Sequence, residues 1–137
     1  MTFRKRPNGY TKSYLDTQAS RVEGASPHEL VSIMFEELLL QLDTSIKHTE
    51  RGDNPAMLEA KSRAAAIVNA LDESLDFERG GDTAVALGVV YRQAAERIAK
   101  ANGPAAKDIL QSVHEMVSEI YAAWKDIGKA SGGKSPS

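Results

Sequence analysis

Four stretches of this chain place apolar residues at intervals of three and four, and each stretch is bounded by residues that start or stop helices. The first runs from about Pro27 to Arg51 and stops at Gly52-Asp53. The second runs from about Pro55, after an Asn54 cap, to Glu78, and stops at Gly80-Gly81. The third starts after Asp82 and stops at Asn102-Gly103. The fourth starts at Pro104 and ends near Ile127-Gly128. No segment sustains the period-two alternation of a half-buried strand. The pattern predicts an all-α fold, and the short links favour an antiparallel up-down four-helix bundle.

The faces differ from helix to helix. At 100° per residue, Ile109, Leu110, Val113, Met116, Val117, Ile120, Tyr121, Trp124 and Ile127 share one arc of the fourth helix. The second helix gathers Met57, Ala60, Ala64, Ile67, Val68, Leu71 and Leu75 in the same way. The first sets Leu30, Val31, Met34, Phe35, Leu38, Leu42 and Ile46 on a wide core arc, the third sets Leu87, Tyr91, Ala94, Ala95 and Ile98 on another, and both carry apolar residues off these arcs. Ile33 and Leu40 lie two turns apart among Glu36, Glu37, Thr44 and Lys47. Val85 and Val89 lie beside Arg92 and Glu96. Two readings fit these four residues. They touch an N-terminal arm or are scattered surface residues, or they line a groove for a partner helix.

At 137 residues the chain supports one domain with a real core. Residues 1–12, with Arg4, Lys5, Arg6 and Pro7, predict a mobile basic N-terminus. Residues 13–128 predict a single bundle domain that includes a short N-terminal helix or arm, anchored by Tyr14 and Leu15. Residues 129–137 predict a disordered polar tail. The start lacks the apolar segment of a secretory signal, and no run reaches the ~20 apolar residues of a membrane span. A soluble cytoplasmic protein is expected. A net charge of −2 argues against general nucleic-acid binding, and the absence of cysteine excludes disulfides and thiolate metal sites.

Candidate chemistry is sparse. His28-Glu29 and His114-Glu115 each begin like a zinc-protease helix, but Ser32 and Ser118 stand where the second histidine is needed. There is no Glu-x-x-His pair for a carboxylate-bridged metal bundle. Gly80-Gly81 lacks the flanking spacing of a phosphate loop and reads as a helix stop. No nucleophile is paired with a base. The expectation is a protein with no catalytic residue, no cofactor and no metal.

Several short motifs follow one another in a distinctive order. Ala25-Ser26-Pro27-His28-Glu29-Leu30 reads as a helix start, with Ser26 as N-cap, Pro27 first in the helix and Glu29 closing a capping box. Downstream come Leu75-Asp76-Phe77-Glu78-Arg79-Gly80-Gly81, then Leu87 through Val90-Tyr91, then Ala101-Asn102, then Trp124. Together with Tyr14 upstream, these resemble the flagellar secretion chaperone family, FliS, over about residues 10–128. Met34-Phe35 stands where the family has Leu-Tyr, Val90 replaces Leu before Tyr91, and Asp82-Thr83 replaces Glu-Ile.

The resemblance implies a non-enzymatic chaperone that wraps the C-terminal segment of unassembled flagellin, blocks premature polymerisation and presents the subunit to the flagellar export apparatus. It also implies an N-terminal arm able to occupy part of the groove. On that picture the partner-binding residues are Tyr14, Leu15, Ile33, Leu40, Val85 and Val89, and the free protein is a monomer or weak homodimer. The competing readings are a generic helical adaptor for another secreted substrate, a bundle enzyme or metal-storage protein, and a nucleic-acid regulator using the basic arm.

Overall fold

The computed structural model describes residues 24–130, with side-chain surroundings through Gly128. The described residues form four α-helices and no strand: α1 (Pro27–Glu50), α2 (Asn54–Glu73), α3 (Phe77–Lys100) and α4 (Ala106–Ala130). A short 3₁₀ turn, Gly103–Ala105, precedes α4. None of these helices is long and apolar enough to cross a membrane.

The helix starts follow from side-chain caps, because the first N–H groups of a helix have no partner within it. Ser26 accepts from the Glu29 amide at 3.1 Å, and the Glu29 carboxylate accepts from the Ser26 amide at 2.9 Å, closing the expected capping box. At α2 the cap is Asp53, which accepts from Ala56 N at 3.1 Å, and Asn54 is already helical. The expected Asn54 cap is therefore displaced by one residue. Gly52, at φ 74°, makes the left-handed turn between α1 and α2.

The largest departure lies between α2 and α3. The second helix ends at Glu73 rather than Glu78, with Ser74 as C-cap. Asp76 then accepts from both Glu78 N and Arg79 N at 3.1 Å, so a new helical turn starts at Phe77. Gly81 interrupts it at φ 52°, ψ −127°, a conformation that effectively requires glycine. The Gly80-Gly81 pair is thus a kink within α3 and not the stop of α2. An aspartate placed to cap outweighed the continuing apolar period.

Each helix contributes one stripe to a common core. Phe35, Leu38 and Leu42 of α1 pack with Ile67, Val68 and Leu71 of α2. Tyr91, Ala94 and Ile98 of α3 join Leu110, Val113 and Val117 of α4. These are the predicted arcs, except that Leu75 falls in the link and Ile127 is 48% exposed. The neighbouring pairs are α1 with α2 and α4, and α3 with α2 and α4, so α1 and α3 lie on a diagonal.

Polar contacts tie the ends of the helices together. Along the α1–α4 seam, His28 meets Trp124, Glu36 meets Tyr121, Asp43 meets His114 and Glu50 meets Lys107. On the other side, the buried Lys61 of α2 donates to Ala101 O at 2.8 Å and to Asn102 Oδ1 at 3.0 Å. It places a cation at the C-terminal end of α3, where the carbonyls lack helical partners. Burial pulls its pKa below the usual lysine value. Replacing Lys61 by Met keeps the stem but strips both acceptors of their donor. We expect Lys61→Met to lose about 1–3 kcal/mol in chemical denaturation with unchanged helical circular dichroism; an unaltered midpoint refutes a structural role for this contact.

Candidate functional site

A cleft of about 390 Å³ opens at one end of the bundle. Three parts of the fold build it. The start of α1 contributes Ser26, Pro27, His28 and Val31. The α2–α3 link and first turn of α3 contribute Ser74, Leu75, Asp76, Arg79 and Gly80. Deeper in α3 and α4, Leu87, Tyr91 and Trp124 complete the wall. The motifs that stand apart in the sequence, from Ser26-Pro27-His28 through Leu75-Asp76 and Tyr91 to Trp124, meet here.

Two of these residues lock α1 to α4. The His28 and Trp124 rings stack with centroids 4.5 Å apart and planes 4° from parallel. His28 Nε2 donates to the Trp124 carbonyl at 2.8 Å, which fixes the proton on Nε2 because a carbonyl only accepts. In return Trp124 Nε1 donates to the His28 carbonyl at 3.2 Å. A reciprocal pair of bonds with a ring stack between them holds the two helix ends in one geometry.

Close approach at this corner depends on Gly128. A Cβ there would fall 2.9 Å from His28 Nε2, inside any real contact distance. The sequence reading takes Gly128 as a helix stop and His28 as an ordinary first-turn residue. The helix instead continues to Ala130, and the glycine makes room for the imidazole. A histidine in the first turn of one helix and a glycine near the end of another carry this signal only once the two helices are paired.

Tyr91 forms the floor. Its ring is buried in the core cluster, and its phenol is pushed up to about 12, first by burial and then by the negative charge of Asp72. The neutral form is held more tightly in the folded chain than in the unfolded one. This contribution to stability is complete below pH 10 and is lost as the pH rises towards 12.

The six predicted contact residues are distributed differently. Leu40, Val85 and Val89 are 54%, 53% and 46% exposed, as expected of residues off the core arcs. Ile33 is not: it is only 5% exposed, although it is no member of the core cluster. A helical projection gives the face on which a residue lies but not what stands above that face, and at Ile33 something does. Leu40 belongs to α1 and the two valines to α3, and these helices lie on the diagonal. The structure therefore does not gather them into one patch. Tyr14 and Leu15 lie outside the described residues. Leu58 and Phe77, also exposed, escaped the sequence reading. Phe77 falls within the second helix on the sequence pattern and instead opens α3.

Comparison with known proteins places these features in a family. The family model described as flagellar protein FliS matches residues 8–131. The chain is similar to the flagellar secretion chaperone FliS of Salmonella typhimurium, 36% identical over 79% of this chain and 81% of the relative. It is also similar to the flagellar secretion chaperone FliS of Vibrio cholerae, 30% identical over 86% and 85%. The flagellar secretion chaperone FliSB of Pseudomonas aeruginosa is 29% identical over 79% and 86%.

Two outcomes test the site. Gly128→Ala at an ordinary helical position gains up to about 1 kcal/mol. Here we expect the opposite sign, a loss of about 1–3 kcal/mol with altered Trp124 emission, relieved when His28→Ala is added. A stabilised Gly128→Ala protein refutes the close contact. In alkaline titration followed by phenolate absorbance, one tyrosine should ionise near pH 12. Tyr91→Phe should remove that step and flatten the fall in stability between pH 10 and 12; a full complement of ordinary phenols refutes the burial argument.

Proposed function

Because the chain belongs to the FliS family of flagellar secretion chaperones, we propose that it binds the C-terminal segment of unassembled flagellin in the cytoplasm, prevents its premature polymerisation and helps deliver it to the flagellar export apparatus. The family is one of chaperones and not of enzymes, and the site has the character of a binding surface.

The observation that carries the reading is the placing of the exposed apolar residues. Leu40 on α1 and Val85 and Val89 on α3 stand on helices that do not adjoin. A compact ligand reaches one face. An extended, unfolded chain that wraps the bundle reaches both, and gains helix and buried area as it does so. A free flagellin terminus has that form. Tyr14 and Leu15 belong to the proposed N-terminal arm, which covers part of the groove until the partner displaces it. Ile33, already buried, meets the partner only by exchange with whatever covers it.

An antiparallel up-down arrangement fits this role, since it presents long outer faces to a wrapping chain. Its support is the order of the seam contacts. Positions 28, 36, 43 and 50 of α1 face positions 124, 121, 114 and 107 of α4. A generic adaptor for some other secreted substrate is the alternative, and the same measurement separates the two.

Calorimetric titration of the intact protein with a flagellin C-terminal peptide is the test. We expect binding that Leu40→Ser and the pair Val85→Ser with Val89→Ser each weaken by about tenfold, while each substitution changes stability by no more than ~0.5 kcal/mol. Undiminished binding in both variants removes these faces from the interface. Absence of binding by the wild-type protein refutes flagellin as the partner.

A further inference from the structure

We propose that the end cleft seats the C-terminal residue of the bound polypeptide, with its apolar side chain inside and its free α-carboxylate at Arg79. This rests on the reading that the protein holds the C-terminal segment of a secretion substrate, and assigns a place to the last residue of that segment.

The argument begins with size. The cleft holds about 390 Å³. A cleft of this volume has room for a side chain together with the end of its backbone. The walls fix the next property. Val31, Leu75, Leu87 and the Trp124 ring give an apolar lining, suited to an aliphatic or aromatic side chain.

Charge then selects which end of a chain enters. Of the residues that line the cleft, Asp76 carries the carboxylate, and it is occupied within the protein. Asp76 Oδ1 accepts from the amides of Glu78 and Arg79. Among the residues that line the cleft, the Arg79 guanidinium is the charged group with capacity to spare. Its side chain is 90% exposed and its approach to Asp76 Oδ2 is long, 3.8 Å. Arginine presents donors in a planar fork that matches a carboxylate. An incoming N-terminal ammonium is repelled by the same group. The first turns of α1 and α3 both border the cleft with their positive ends, which adds in the same direction. The Gly81 kink shapes the rim that carries Arg79, so the glycine pair serves the cleft rather than ending a helix.

The test uses the intact protein and a flagellin C-terminal peptide in two forms, free acid and C-terminal amide, titrated by calorimetry. The wild-type protein should bind the amide about three- to tenfold more weakly than the acid. Arg79→Ala should bind both forms alike. Thr83→Phe, a change at an exposed position on the cleft wall, should weaken both while leaving the thermal transition in place. Equal binding of acid and amide by the wild-type protein overturns the proposal and leaves the flagellin reading intact; it points to an internal side chain in the cleft. An acid–amide difference that persists undiminished in Arg79→Ala overturns it as well. If neither form binds the wild-type protein, the flagellin reading fails, and this assignment with it.

Discussion

Phe35 is the point on which the packing of this bundle depends. Its ring is fully buried and meets three aromatic side chains from two other helices. Tyr91 of α3 lies 6.4 Å away, and Tyr121 and Trp124 of α4 lie 5.6 and 6.3 Å away. These separations are in the range where ring geometry adds to area burial. Since α1 and α3 are diagonal, Phe35 joins elements that make no extensive contact of their own. The family pattern has tyrosine where this chain has Phe35. A hydroxyl at a position with no exposure needs a buried partner. Phenylalanine removes that need and leaves the centre of the aromatic cluster entirely apolar.

The contrast with the surface ion pairs shows which forces hold the fold. Arg63–Glu59 and Lys100–Glu96 join exposed side chains one helical turn apart, a class of pair that contributes a few tenths of a kcal/mol. Burying a Leu such as Leu42 or Leu110, both without exposure, is worth about 1.5–3 kcal/mol each. The polar contacts that matter are those at helix ends, where an unpaired donor or acceptor would otherwise be shut away from water. Lys61 serves the end of α3, and the paired His28 and Trp124 bonds serve the corner of α1 and α4. These contacts set alignment more than they set total stability.

Most of the architecture was legible in the sequence, because helical period and caps are local properties. The four core arcs and the capping box at Ser26 are of that kind. What escaped depends on two segments at once. The shortened α2 came from competition between a continuing apolar period, through Leu75, and an Asp76 able to cap a new helix. Periodicity cannot see that choice. Gly128 could not be distinguished from a helix stop without the His28 ring beside it. Ile33 was placed off the core arc, and what buries it there is not given by the period of its own helix. The resemblance located the motifs, but nothing in the linear order states that they converge on one cleft.

That convergence bears on how a chaperone without chemistry achieves selectivity. Apolar faces such as Leu40 or Val85 with Val89 offer area, and area alone grips many unfolded chains about equally. Register requires a feature that only one point of the partner satisfies. The cleft supplies walls held by the His28–Trp124 lock and by the buried Tyr91. Its rim runs through the solvent-exposed turn from Asp76 to Gly81. On the proposal above, such a cleft reads an end rather than a composition, since a chain has one C-terminus and many apolar residues. On the same proposal, seating the end brings the apolar residues upstream to the outer faces in a fixed order, so that the faces contribute affinity and the cleft determines which stretch of chain they hold.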